Sequence, residues 1–560
     1  MKITNKITGI ALSFVMFMTA CADLDVTNTN APDQSRALAS PADVESLIKS
    51  TFLTWWQGVH VTGSGFQPMV MGDSQSSSWG NYGMREMSSE PRAAINNSPA
   101  WGYAFYIEDP WYDLYGAISS AKDGLASLKA GQEGGKNFLA TAEDDKRAEV
   151  FAKFILAISN AQVASWYDKG FYVDGDTDFS QKIETVDYKT LMSSALTALE
   201  AVVSEAEANS TVSIPEDWMQ IPGMTMADLA KVGHSMLARY KAAVGRDATE
   251  RAAADWADIA SHASKGGTFA PVGDGDFWWT RTQYYSAVSR SWGRADYKMI
   301  GPADKSDGYK NWLGDGSDAT VAGRKAFSIV TDDKRISAGD AGDGTQAAGL
   351  YGLNEYRTRL IASRGTYHQT YYFWNRQSAY ATTLVGPMHD VVQSELDLYQ
   401  AEAALRGNDA ASAATFINNS RVTIGGLSAA TGSTPVGSPS DAPSALDDAS
   451  LWAMLKYEQI IEATQTNPFV PFYHRRGHGD LVKGTAEHLP IPGKELEILL
   501  MDSYTFGGQD AIGTDGTAGR KISPFDGNGG FRTRGFVIEW DKVTPLTDSC
   551  LLYTSDAADD

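Results

Sequence analysis

Apolar side chains recur at spacings of three and four residues along much of this chain, which is the periodicity of an α-helix with one buried face. Val44, Ile48 and Phe52 share such a face, and Ser40 with Pro41 supplies a helix start just upstream. The chain must therefore bury a long series of helical stripes against one another. The same pattern predicts helices at 43–56, 111–128, 147–167, 188–206, 226–244, 255–263, 389–405, 410–422 and 451–464.

Several of these helices are predicted to pair as hairpins. Gly407-Asn408-Asp409 combines a helix stop with a fresh N-cap, and repeated helical hairpins resemble tetratricopeptide packing. The periodicity is lost at 60–110, at 265–385 and after 490, where Gly, Ser, Asn and Asp predict long loops. We therefore predict a mostly α fold, a tetratricopeptide-like helical hairpin scaffold with large loop-rich excursions. Such loops are where ligands commonly bind.

The N-terminus has the pattern of an export signal. Two lysines precede an apolar run at 7–18 that is too short to span a bilayer, and small residues lead to Cys21. This resembles a bacterial lipoprotein signal, in which the cysteine is lipidated and becomes the new N-terminus. We predict a signal peptide at 1–20, lipidation of Cys21 and a tether at 21–41. An ordinary cleaved signal followed by an incidental cysteine is the alternative.

The charge and cysteine content of the chain limit the kinds of partner that it can bind. Its 560 residues carry a formal net charge of −22, and a surface this acidic repels phosphate backbones and anionic headgroups. This argues against nucleic acid and for a membrane contact through the lipid anchor only. The two cysteines, Cys21 and Cys550, leave no intrachain disulfide framework once Cys21 is lipidated.

The chain is expected to form one binding domain over residues 42–546, since 43% of its residues are hydrophobic and suffice for a large core. Residues 547–560 resemble translated sequencing-adapter read-through rather than a native terminus, and we predict that they do not belong to the fold.

Two clusters of aromatic and polar residues lie in the loop-rich stretches. The chain has 15 Trp and 24 Tyr, whose flat apolar faces and hydrogen-bonding edges suit sugar rings. Neighbouring Gly, Ser, Asn, Asp and Arg favour an exposed platform, although packing within the loop is an equal alternative for any single ring. We predict that both clusters bind ligand and that they form one site. The first cluster contains Asp73, Trp79, Asn81, Tyr82, Arg85, Trp101 and Tyr103, and the second contains Phe277 and the predicted contact residues Trp278, Trp279, Arg281, Tyr284, Tyr285 and Trp292.

Motifs for catalysis are weak. Gly72-Asp73-Ser74 resembles the nucleophile block of GDS-type esterases, but the Asp-x-x-His that supplies their base is absent from the sequence. The Gly-x-Ser-x-Gly elbow and the P-loop are absent as well. We predict no catalytic residues. A surface glycan hydrolase remains the alternative, because paired glycosidase carboxylates leave no local signature.

Metal-binding patterns are weak too. His474 and His478 have the spacing of a helical chelate, but Gly477 and Gly479 argue against a helix there, so no metal site is predicted. In the stretch 174–178 three aspartates alternate as the oxygens of a calcium loop do, without the glycine and the glutamate that such a loop needs. We predict an acidic solvated loop and no cofactor, with calcium as the alternative.

Several segments, in order along the chain, resemble the SusD/RagB-like outer-membrane nutrient-binding lipoproteins. The resemblance runs from Cys21 to about residue 497. The matching segments are SPADVE (40–45), WYDLYGAISSA (111–121), ELDLYQAEA (395–403), RG (406–407), IN (417–418), Arg421, KYE (456–458), RRG (475–477) and LPIP (489–492).

This resemblance implies a protein without catalytic activity, lipid-anchored in the outer membrane and facing the cell surface. It would capture a glycan, or alternatively a peptide, and deliver it to a SusC-like TonB-dependent transporter. The resemblance also implies that the two aromatic regions supply binding residues. A structural helical-repeat adaptor, with protein partners only, is a further alternative.

Overall fold

Long helices dominate the computed structural model, which describes residues 40–77, 83, 87–90, 92–275, 293–315, 318–340, 344–347, 349–353, 370–380 and 382–508. The α-helices are α1 (Pro41–His60), α2 (Thr62–Met71), α3 (Phe105–Gly131), α4 (Ala142–Trp166), α5 (Tyr188–Ala208), α6 (Glu216–Met219), α7 (Met226–Ala243), α8 (Ala248–Ala252), α9 (Trp256–Lys265), α10 (Tyr297–Ile300), α11 (Gly308–Leu313), α12 (Asp318–Gly323), α13 (Gln393–Arg406), α14 (Ala410–Arg421), α15 (Leu451–Ile461), α16 (Val470–His478) and α17 (Gly493–Ile498). Short 3₁₀ turns lie at Gly301–Ala303 and Ser378–Tyr380.

Side-chain caps start these helices where the sequence predicts. The Ser40 hydroxyl accepts a hydrogen bond from the Asp43 amide at 3.2 Å, which satisfies one free N–H of α1. Asp409 caps α14 in the same way, through the Ser412 amide at 3.0 Å. Between α13 and α14, Asn408 adopts a φ of 61°, so the chain reverses at the predicted stop.

The long helices form a series in which each packs on a neighbour. Along the chain α1 contacts α3, α3 contacts α4, and the order continues through α5, α7, α9 and α13. Helix α13 then packs on α14 and α15, and α15 on α16. The predicted fold class, a mostly α scaffold of helical hairpins with loop-rich excursions, is confirmed.

Large aromatic side chains fill the core between these helices. Trp55, Trp111 and Trp166 are buried. The Trp166 ring packs edge-on against Phe469 and Phe472, each at 5.0 Å between centroids, and this ties α4 to α16.

A buried ion network also joins the series; we call Arg239, Asp390, Glu395 and His60 the scaffold network. Arg239 donates to Asp390 at 2.7 Å and to both oxygens of Glu395 at 2.8 Å. His60 lies 2.9 Å from Asp390, and its ring stacks on Trp56 at 3.8 Å between centroids. The network thus links the end of α1 and the start of α13 to α7.

The prediction of a continuous loop at 60–110 is wrong. Helix α2 lies within it, and α3 begins at Phe105 rather than at Trp111. Helix α2 contains two glycines and Pro68, which hide its pattern, and it packs on α3 and α16. Tertiary contacts therefore stabilise a segment of low intrinsic helix propensity.

The expectation that Gly477 and Gly479 prevent a helix is also wrong, because both fit α16. A Cβ atom on Gly477 would lie 2.5 Å from Cδ of Arg251, so the close contact between the two residues requires glycine inside this helix. Gly479 follows α16 with a φ of 74°, the left-handed conformation that ends many helices.

Short strands occupy the excursions between helices. They are β1 (Gln75–Ser77), β2 (Lys169–Phe171), β3 (Thr185–Asp187), β4 (Val272–Asp274), β5 (Gly293–Ala295), β6 (Ile336–Asp340), β7 (Tyr351–Leu353), β8 (Tyr372–Trp374) and β9 (Val385–Pro387). Antiparallel pairs join β1 to β5, β2 to β3 and β4 to β9, while β7 lies between β6, its parallel neighbour, and β8, its antiparallel neighbour.

Among the described helices, none combines the length and the apolar character that crossing a membrane requires.

Candidate ligand-binding site

One small ladder of two strands lies next to both aromatic clusters along the chain. Strand β1 ends at Ser77, just before the first cluster continues, and β5 begins at Gly293, directly after Trp292 of the second cluster. The antiparallel pairing sets Ser77 opposite Gly293 and Gln75 opposite Ala295. The chain therefore departs toward the first cluster at the same end of the ladder at which it returns from the second.

Most of the predicted contact residues lie outside the described residues, so their contacts with ligand stay predictions. They are Trp79, Asn81, Tyr82, Arg85, Trp278, Trp279, Arg281, Tyr284, Tyr285 and Trp292. Cys21, the predicted lipidation residue, lies outside as well.

Asp73 lies directly before β1 in a buried group of charges; we call Asp73, Arg92, Lys298, Glu90 and Arg324 the ladder network. Arg92 Nη2 is 2.8 Å from both carboxylate oxygens of Asp73, and Lys298 Nζ is 3.1 Å from one of them. Lys298 also bonds Glu90, which accepts a further bond from Arg324 at 3.1 Å. These contacts tie the residues before β1 to α10, which follows β5.

The electrostatics hold Asp73 ionised. Burial alone raises the pKa of its carboxyl, but the cations of Arg92, Lys298 and Arg475 outweigh this effect, and the pKa is lowered. The side chain of Asp73 is 1% exposed, and its backbone adopts a φ of 51°. The sequence predicts that Asp73 bonds a ligand hydroxyl. In the structure its carboxylate instead accepts hydrogen bonds from Arg92 and Lys298.

Aromatic rings pack against Arg324 of the ladder network. The guanidinium of Arg324 lies 4.2 Å from the ring centre of Trp312, a cation–π contact, and its Nε donates to the Trp312 carbonyl at 2.9 Å. Tyr309 stacks beside Trp312 at 6.1 Å between centroids. No sequence motif marked Trp312 and Tyr309, which contact the ladder network through Arg324.

Trp101 and Tyr103 are half-buried, with one part of each ring packed on the core. The two rings meet edge to face at 5.7 Å between centroids. Gly83, a described residue within the first cluster, lies so close to Trp101 that a Cβ atom there would approach the ring to 2.7 Å. The Trp101 ring therefore supports the backbone at Gly83.

Comparisons with known proteins bear on the fold. No protein-family model matches the chain, and no curated protein matches it. Among solved structures, a SusD homolog from Parabacteroides distasonis superposes with a TM-score of 0.53 at 13% identity, covering 82% of this chain and 93% of that one. A SusD superfamily protein from Bacteroides vulgatus gives a TM-score of 0.51 at 12% identity, covering 81% and 96%. One from Bacteroides thetaiotaomicron gives 0.50 at 11%, covering 82% and 96%.

The chain has the SusD-like fold. The resemblance inferred from sequence segments is thereby confirmed at the level of the fold. In this SusD-like fold, α2 leads into β1 and β5 leads into α10.

The esterase-like block has structural contacts in this SusD-like chain. Ser74 is buried, and its hydroxyl donates to the Met69 carbonyl at 3.1 Å. The Ser74 carbonyl accepts a bond from the Asp296 amide at 3.3 Å, beside the ladder. Together with the ion pairs of Asp73, these bonds attach β1 to its surroundings.

The alternating aspartates lie in a turn of the SusD-like scaffold. Asp174 accepts bonds from the Asp176 amide and the Thr177 hydroxyl, and Asp178 accepts bonds from Ser180. Lys129 donates to Asp176 at 3.1 Å. These contacts are those of an acidic turn, and calcium binding stays an untested alternative.

The histidines of α16 are buried beside Glu402, within possible metal-ligand distance. The carboxylate of Glu402 already accepts two bonds from Arg251, at 2.7 and 2.9 Å, and a further bond from Arg406 at 2.8 Å. Burial lowers the pKa of His474 to about 3 and that of His478 well below its usual value. Two guanidinium cations therefore neutralise this site, which disfavours a metal ion.

Proposed function

We propose that this chain is a surface nutrient-binding protein that captures glycans on loops carried by the β1–β5 ladder. The pairing of Ser77 with Gly293 carries the proposal, because the first cluster continues directly after Ser77 and the second ends directly before Gly293. Two clusters that are distant in sequence then share one base, as a single extended binding surface requires.

The chemistry of the clusters fits sugars. Trp and Tyr rings stack on the C–H faces of pyranoses, while Asn and Arg side chains bond the hydroxyls. Trp101 and Tyr103 already form a half-buried aromatic pair next to Gly83. The buried ladder network preorganises the base, which lowers the ordering cost of capture.

We further propose that lipidated Cys21 anchors the protein to the outer membrane, facing the cell surface, and that the protein hands its ligand to a SusC-like TonB-dependent transporter. The SusD-like fold and the lipoprotein-like N-terminus support this role. Detergent partitioning and fatty-acid labelling of wild type and Cys21→Ser test the anchor. An unlabelled, wholly aqueous wild-type protein would contradict it.

The binding role is tested with a panel of oligosaccharides and peptides, by calorimetry on wild type and on four single variants, Trp79→Ala, Trp101→Ala, Trp278→Ala and Trp279→Ala. A stacked ring should contribute about 1–3 kcal/mol, which is about one to two decades in Kd. Phe179→Ala is the matched control, because Phe179 is a described, 49% exposed aromatic residue outside both clusters.

The outcomes separate the alternatives. Loss of glycan affinity at unchanged melting temperature, in variants from both clusters, supports one shared glycan site. Affinity that survives all four substitutions places the site elsewhere, and affinity for peptides alone replaces the ligand class. Turnover of a polysaccharide that one carboxylate substitution abolishes would replace the binding role with hydrolysis.

A further inference from the structure

Two histidines face each other across neighbouring helices of the scaffold, on elements that do not form the ladder. His234 of α7 and His262 of α9 approach through their Nδ1 atoms, at 2.8 Å. Their side chains are 8% and 13% exposed, so the pair is shielded but reachable from solvent. Each outer ring nitrogen points toward a carboxylate, Nε2 of His234 to Glu207 at 3.1 Å and Nε2 of His262 to Asp258 at 3.4 Å.

These contacts need more protons than two neutral imidazoles hold. A carboxylate only accepts hydrogen bonds, so each Nε2 must carry hydrogen to face one favourably. Both Nδ1 atoms then present lone pairs to each other at 2.8 Å. A cation between the two nitrogens, either a third proton or a metal ion, removes this repulsion.

The surrounding charge favours a cation. We call His234, His262, Glu207, Asp258, Glu200 and Lys241 the α7/α9 histidine site. The site contains three carboxylates and one ammonium group. The ammonium group, that of Lys241, bonds both Glu200 and Asp258. Oxygen atoms of Glu200 and Asp258 and a ring nitrogen of His262 lie within 4.8 Å of one another. This excess of acid contrasts with the arginine-neutralised Glu402 beside α16.

We propose that the α7/α9 histidine site binds a divalent transition-metal ion of the zinc and copper class through the Nδ1 atoms of His234 and His262. Metal–nitrogen bonds of about 2.0–2.1 Å bring both atoms within reach of one ion. The two Nε2–H groups then donate to Glu207 and Asp258, as carboxylates commonly orient metal-bound imidazoles. Imidazole ligands select this class of ion over calcium and magnesium.

The test uses the full chain without a histidine tag, stripped by a chelator and titrated calorimetrically with Zn²⁺, Cu²⁺ and Ni²⁺. We expect one equivalent to bind wild type, and His234→Ala and His262→Ala each to weaken binding at least about tenfold. His389→Ala is the matched control, since His389 is a partly buried histidine outside the site. With Cu²⁺, electron paramagnetic resonance should resolve two nitrogen ligands in wild type and one in each single variant.

Variants of two groups beside the histidines keep the test valid if a histidine variant fails to fold. Glu207→Gln should weaken binding by about tenfold, as the loss of an orienting carboxylate does, and Lys241→Met should tighten it by removing a competing cation. Failure of the wild type to bind any of the three ions below millimolar concentration overturns the proposal and leaves the pair with a shared proton. Affinity retained by the His234→Ala, His262→Ala double variant overturns it as well. Neither result bears on glycan capture.

Discussion

The scaffold network and the ladder network are both buried ion clusters, yet they stabilise different kinds of structure. The scaffold network links helices whose backbones already satisfy their own hydrogen bonds and whose apolar stripes already pack. The ladder network surrounds two short strands that share only three paired positions. Arg239, at the centre of the first, holds two carboxylates, whereas the second spreads Asp73 and Glu90 over three cations.

This difference indicates where ion pairs determine structure. Among the helices, charges reinforce an arrangement that hydrophobic burial also specifies. At the ladder, Asp73 and Lys298 replace the missing periodic contacts and position the two strands. Loss of charge should therefore lower global stability in the scaffold and mainly ligand affinity at the ladder.

The largest effect is expected for Arg239→Met. Removal of this guanidinium leaves Asp390 and Glu395 buried without their main cation, and breaking a buried pair costs about 3–5 kcal/mol. Urea unfolding followed by circular dichroism measures the loss. Lys129→Met, which breaks an exposed pair with Asp176, should change stability by less than about 1 kcal/mol. An equal effect of the two substitutions would contradict the structural role of the scaffold network.

Asp73→Asn should have a smaller effect on unfolding and a clear effect on ligand. Partners remain for the two cations, because Arg92 also donates to Thr485 at 2.8 Å and Lys298 keeps Glu90. The lost charge-assisted bonds are worth about 1.5–3 kcal/mol. We expect weaker glycan binding with helical content intact. Unchanged affinity would separate the ladder network from the site, and Asp176→Asn serves as the exposed control.

Asp113 of α3 extends the comparison to a carboxylate of the scaffold whose pKa is raised by burial and by a neighbouring carboxylate. Burial first, and then Asp109, raise its pKa from 3.8 to about 7. The folded state then holds a proton that the unfolded chain loses above pH 4, so this group lowers stability as pH rises from about 4 to 7. Asp113→Asn should raise stability at pH 8 by on the order of 1–2 kcal/mol, allowing for partial solvent access, and change little at pH 4. Thermal melts across this range measure it, and an equal gain at both pH values would contradict the assignment.

The smallest effect is expected for Gly83→Ala. Its φ of 63° disfavours a side chain by about 1 kcal/mol, and the new Cβ would displace the Trp101 ring. Gly134→Ala is a close control, because Gly134 has a φ of 85° but no atom within 4 Å of its Cβ position. Both variants should lose the stability that the positive φ costs, Gly83→Ala somewhat more because of the ring contact, and only Gly83→Ala should lose glycan affinity. Equal affinities would show that Trp101 does not support the site.

The apolar periodicity allowed the long helices to be predicted. The α13–α14 hairpin could be predicted because Gly407, Asn408 and Asp409 mark a helix stop and a new N-cap within three adjacent residues. Helices α2 and α16 could not be predicted, since both contain glycine. In α16 the reason for the glycine is a partner distant in sequence, because Gly477 packs against Arg251. The α7/α9 histidine site was missed for the same reason, because its histidines lie on different helices.

The sequence could predict which regions supply residues to the candidate site, but not how these regions are arranged in space. Aromatic residues among Gly, Asn and Arg marked two regions, whereas the three-residue strands that bring their ends together show no alternation. Asp73 was selected for its chemistry within a cluster. Its actual partners, Arg92 and Lys298, belong to segments that no local pattern connects to it.

The β1–β5 ladder also implies an order of assembly. It closes the chain between Ser77 and Gly293, a span that contains α3 to α9. Closing so long a loop costs conformational entropy that three residue pairs alone do not offset, so the strands can meet only after the intervening helices have drawn their ends together. Helical content should therefore recover before ligand capture during refolding. The site that we propose would become competent to bind only when the scaffold is complete.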